Sequence, residues 1–168
     1  PMVPTPPRAI LPPTVDPKCE ASAQTIDSVA KLCSAGVVER QLRAQPKVLE
    51  QYGTEGFSDL ASDTAVRLRF LAEATAVNIP SVFSDHVASQ KIALAARGMA
   101  AECLDTNLAC IAAELAEMLP PAAAEVVTPI VEHARSSLPA APAELPSFIE
   151  GDHPHIDLTR QYLLAVLE

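Results

Sequence analysis

Between Glu20 and Leu138 the apolar residues of this chain recur at every third or fourth position, and no stretch alternates with a period of two. That pattern argues against half-buried strands and calls for helices that each bury one face. It is cleanest from Ala101 to Leu119, where Leu104, Leu108, Ile111, Leu115 and Met118 fall on one stripe. Proline and glycine punctuate the rest. The segment from about Glu20 predicts a helix through Ala23, Ile26, Val29, Ala30 and Cys33 that ends at Gly36, since glycine commonly follows a helix end. A second segment, Val37 to Ala44, is broken at Pro46, and a short turn follows through Val48, Leu49 and Tyr52. The longest helix is expected from about Gly56 to Asn78, with Phe57, Leu60, Thr64, Leu68 and Leu71 on one stripe and Phe70, Ala74 and Val77 beside it. Pro80 opens the next, which puts Phe83, Val87, Lys91 and Leu94 on one face before Gly98. Pro120 and Pro121 begin a further helix through Ala124, Val127, Ile130, Val131, Ala134 and Leu138, with a kink expected at Pro129.

The chain of 168 residues is close to one domain in size. Apolar residues make up 49% and aromatics only 4%, with no Trp, so the core has to be built from Ala, Leu, Val and Ile, which suit close helix packing. The expected fold is all-α, a bundle of six or seven helices, with globin-like packing as a second arrangement open to the same pattern. Seven prolines within residues 1–17 favour an extended polyproline arm, taken as residues 1–19, whose Val3, Ile10 and Leu11 are the candidates to dock at an interface. The helical body then spans residues 20–138, a proline-rich linker residues 139–152, and a last helix residues 153–168. On that helix Leu158, Tyr162, Leu163, Val166 and Leu167 share a face, and no Gly, Asn or Pro stops it, as if a further domain began there.

A formal net charge of −9 and a pI near 4.8 repel a phosphate backbone, so nucleic acid is not an expected partner. No apolar run approaches the roughly 20 residues that span a bilayer, and no signal-peptide pattern is present, so a cytoplasmic chain without a membrane partner is expected. The four cysteines, Cys19, Cys33, Cys103 and Cys110, form no C-x-x-C pair and sit inside helical patterns, which reads as buried free thiols.

Chemistry has few places to reside. His153 and His155 flank Pro154 without the further ligands that structural zinc needs, and His133 stands alone near a helix end. Cys103, Asn107, Cys110 and Glu114 share a helix side, which suits packing better than a metal or redox switch. His86, beside Phe83 and Val87, could ligate a haem iron or hydrogen-bond a bilin if the fold were globin-like. No phosphate loop, nucleophile elbow, H-E-x-x-H or paired-carboxylate signature occurs, so no enzyme, catalytic residue or metal site is expected.

The run Tyr52-Gly53-Thr54-Glu55-Gly56, then Asp63 and Leu68-Arg69-Phe70-Leu71-Ala72-Glu73-Ala74, resembles a helical regulatory domain found ahead of cobalamin-binding domains in bacterial proteins. The segment from Pro80 to Val87 and the turn Ala96-Arg97-Gly98 continue the likeness, and His153-Pro154 through Leu167 is similar to the entry of the four-helix module that caps cobalamin there. The family favours Tyr or Trp near Phe83 to Ser89, where this chain has His86 and Ser89, and the corrin-binding Asp-x-His-x-x-Gly is missing. The resemblance implies a sensory or adaptor module of bacterial signalling that dimerises or contacts a protein partner. It holds no cofactor in this segment, and cobalamin would belong to a neighbouring domain.

Overall fold

A computed structural model describes residues 16–52 and 55–144, together with residues 157, 158, 161 and 162. The described residues form helices and no strand: α1 (Pro17–Ala44), α2 (Val48–Tyr52), α3 (Gly56–Val77), α4 (Pro80–Ala96), α5 (Ala101–Met118) and α6 (Pro121–Ser137), with a 3-10 turn at Leu138–Ala140. The architecture is a six-helix bundle.

The first helix starts where Asp16 caps it, its Oδ1 accepting the Lys18 N–H at 2.9 Å, with Pro17 at the first helical position, so residues 17–19, expected in the extended arm, belong to α1. It does not stop at Gly36. A glycine inside a helix costs about 1 kcal/mol relative to alanine, but Cys33, Val37 and Val38, on both sides of it, are wholly buried. Packing along one unbroken stripe outweighs the local penalty, and α1, at 28 residues, is longer than the 22-residue α3 that was expected to be longest.

The early turns of α1, around Ala23, lie along the late turns of α3, around Ala72, while the Ser34 hydroxyl donates to the Ala61 carbonyl at 2.8 Å. These two helices are therefore antiparallel, and they share the most extensive contact of the bundle. Leu60, Thr64, Leu68, Leu71 and Ala74 bury the predicted stripe of α3. Phe57 and Val77 do not follow it and stay 53% and 51% exposed. Each lies in an end turn, and Val77 continues the solvent-facing row of Arg69 and Glu73.

The α4 helix ends as predicted at Gly98. Its φ of 73° is left-handed, and the Gly98 and Met99 N–H groups return to the Ala95 and Leu94 carbonyls, each at 2.9 Å. Phe83, Val87 and Leu94 are buried, and Lys91, on the same face, spends its ammonium on the carbonyls of Leu138 at 2.9 Å and Ala141 at 2.6 Å, closing the end of α6. The stripe of α5 is buried through Leu104, Leu108, Ile111 and Leu115. Helix α6 runs unbroken through Pro129, whose ring lies on the exposed side.

Among the described residues no helix is long and apolar enough to cross a membrane. The expected docking residues Val3, Ile10 and Leu11, and the pair His153 and His155, lie outside the described residues. Leu158 and Tyr162, one helical turn apart, are 65% and 68% exposed.

Candidate functional site: a buried polar cluster around Arg67

Three positions on the inward face of α3 carry polar side chains where the period calls for apolar ones: Thr64, Arg67 and Thr75. Thr64 and Thr75 satisfy themselves by donating back to the Leu60 and Leu71 carbonyls. Arg67 cannot, and at 1% exposure it is the largest wholly enclosed side chain of the bundle. Its Nη1 donates to Asn107 Oδ1 at 3.0 Å. The Asn107 amide in turn donates to Gln41 Oε1 at 2.7 Å and Thr64 Oγ1 at 3.0 Å, and Gln41 donates to the Cys103 carbonyl at 2.9 Å. One hydrogen-bonded path thus crosses α1, α3 and α5.

On its other edge the guanidinium faces α4. Nη2 lies 3.4 Å from Gln90 Oε1 and 3.9 Å from Asp63 Oδ2, and Nε has no partner among the described residues. Burial lowers the pKa of Arg67 from its ordinary value, while Tyr52 and Asp63 oppose the shift. Burial likewise raises the Tyr52 phenol, with Arg67 pulling it back. The outer face of the Tyr52 ring carries the Arg97 guanidinium, 5.1 Å from its centroid.

One turn before Gln90, His86 lays its ring on Phe70, with centroids 3.8 Å apart and planes 8° from parallel. Its Nε2 is buried and has no hydrogen-bond partner among the described residues. Burial, first, and then the neighbouring Arg67 and Arg69 push its pKa down to about 4, against a smaller pull from Asp63, so the imidazole is neutral at ordinary pH. A neutral imidazole can ligate a metal, but this one is stacked in the α3–α4 seam beside a guanidinium. Among the described residues no group of three or more His, Cys, Asp or Glu could hold a metal ion.

The thiols are also turned inward. All four cysteines are buried and none forms a disulfide. Burial pushes Cys33 up to about 12, with Glu114 adding to it, and burial raises Cys103 and Cys110 as well. Such thiols are poor nucleophiles and poor metal ligands. Glu114 itself accepts from Arg40 Nε at 2.5 Å, Glu117 pairs with Arg40 Nη2 at 2.6 Å, and the Glu114 carboxylate occupies the place where a Cβ on Gly36 would stand.

Of the residues singled out in the sequence, His86, Asn107 and Glu114 are thus drawn into helix–helix contacts. Arg67 and Gln41 were not singled out, and Thr64 was placed on the α3 stripe with no polar role, although a charged residue at an inward position of α3 was the visible signal. Comparison with protein-family models, with curated proteins and with solved structures returns no match.

Proposed function

We propose that this chain is a non-catalytic helical regulatory domain that works through protein contacts, by self-association or by docking on a partner. The observation that supports it is the direction in which its chemistry faces. Arg67, His86, Glu114 and the four thiols are engaged or enclosed between helices, where they tie the bundle together. What the surface offers instead is charge and scattered apolar side chains such as Leu32, Phe57 and Ile79. The likeness of residues 45–167 to the helical domain ahead of bacterial cobalamin-binding domains agrees with this reading, under which the cofactor chemistry belongs to a neighbour.

The haem or bilin alternative through His86 is less well supported, because both Phe70 and Arg67 crowd its ring. Light scattering on the purified protein over a range of concentrations tests the contact reading, with a mass that rises with concentration as the expected result. A monomer at every concentration that also binds no protein, a substrate turned over, or a Soret band on adding haem that His86→Ala removes would each overturn it.

A further inference from the structure

A groove of about 430 Å³ runs between the first turns of α1 and the last turns of α3. Its floor is small and apolar: Ala23 and Ala72 are buried, and Ala76 is half-buried. Its walls are exposed and acidic, with Glu20 and Asp27 on α1 and Glu73 on α3, against the single cation Arg69. The other carboxylates at helix contacts, such as Asp105, Glu114 and Glu125, are paired with Arg or Lys. Glu20, Asp27 and Glu73 make no ion pair within the described residues. Beyond the groove, the exposed Val77 lies one turn after Glu73 on the same row of α3.

From this geometry we infer that the α1–α3 groove docks a basic amphipathic helix of a partner protein. Aliphatic side chains of that helix would lie on the alanine floor, and flanking Lys or Arg would reach the carboxylates of both walls. A methyl-lined floor lets a helix approach closely, and carboxylates on two sides fix its register by charge. The same groove of a second copy is a poor occupant, because its own acidic walls repel the site, so self-association would use another face. Nucleic acid and anionic lipid are repelled for the same reason. The inference rests on the reading that the chain works by protein contacts, and it names the chemistry of the partner and the face that receives it.

The probe is a labelled synthetic helix of Ala, Leu and Lys, titrated with the protein by fluorescence anisotropy. Saturable binding that weakens with salt is expected, and Glu20→Lys with Asp27→Lys and Glu73→Lys should weaken it by about tenfold or more. A control protein with the same charge change at Glu50, Glu102 and Glu132, all exposed and away from the groove, should bind nearly as well as the parent. Circular dichroism confirms that both variants fold. No binding to the parent, or an equal loss in the control, overturns the groove, whereas the contact reading stands or falls separately on the light-scattering result.

Discussion

At the scale of single residues, His86 shows how a neighbour decides what a side chain can do. The same imidazole on an exposed face would titrate near 6.5, but enclosure beside Arg67 and on Phe70 takes it to about 4. Between those values the unfolded chain binds a proton that the folded chain does not, so stability rises with pH across that window. The contribution is complete above about 6.5 and is lost as the pH falls toward 4. His86→Phe keeps the stack and removes the titration. Solvent screening at the partly exposed ring reduces the full linkage effect, so urea unfolding of the parent should lose on the order of 2 kcal/mol across this window relative to the variant, and parallel pH profiles would show that His86 does not carry it. Arg67 was missed by stripe reading because an arginine at an inward position is counted as a surface residue until its hydrogen-bonding partners on other helices are known.

At the scale of elements, most helices were legible, but neither end of α1 was. Pro17, read as part of the extended arm, opens α1, whereas Pro80 and Pro121 start helices, and Gly98 ends one through a left-handed backbone, as local stereochemistry requires. Gly36 looks the same in sequence but has helical neighbours that must be buried on both sides, so α1 continues to Ala44. Its lack of a side chain serves the contact with α5, where the Glu114 carboxylate rests against it and binds Arg40. Gly36→Ala adds helix propensity but displaces that carboxylate. In the parent the two effects should largely cancel. In a Glu114→Ala background the same change should stabilise by about 1 kcal/mol, measured as the shift in thermal or urea unfolding. Equal effects in both backgrounds would mean that Glu114 does not use the space.

At the scale of the whole molecule, the path from Gln41 through Asn107 to Arg67, with Thr64 branching from Asn107, joins three helices, and Gln90 reaches the same guanidinium from a fourth. Cutting it on one side leaves a buried group without its partner, so Arg67→Met and Asn107→Leu should each destabilise by about 3 kcal/mol. The double variant should cost less than the sum by about 1–2 kcal/mol, read from a double-mutant cycle in urea. Strict additivity would mean that the two side chains do not act together. What the sequence by itself determined is the class of the fold, because a three-to-four apolar period with proline starts allows few solutions other than packed helices. The tertiary structure decided what periodicity cannot see: that Gly36 lies inside a helix, that Val77 and Phe57 face outward, and that Arg67 and His86 meet in one seam. Those outcomes depend on which faces of separate helices are brought together, and the energy of a buried charge or a glycine is set by neighbours distant in the chain.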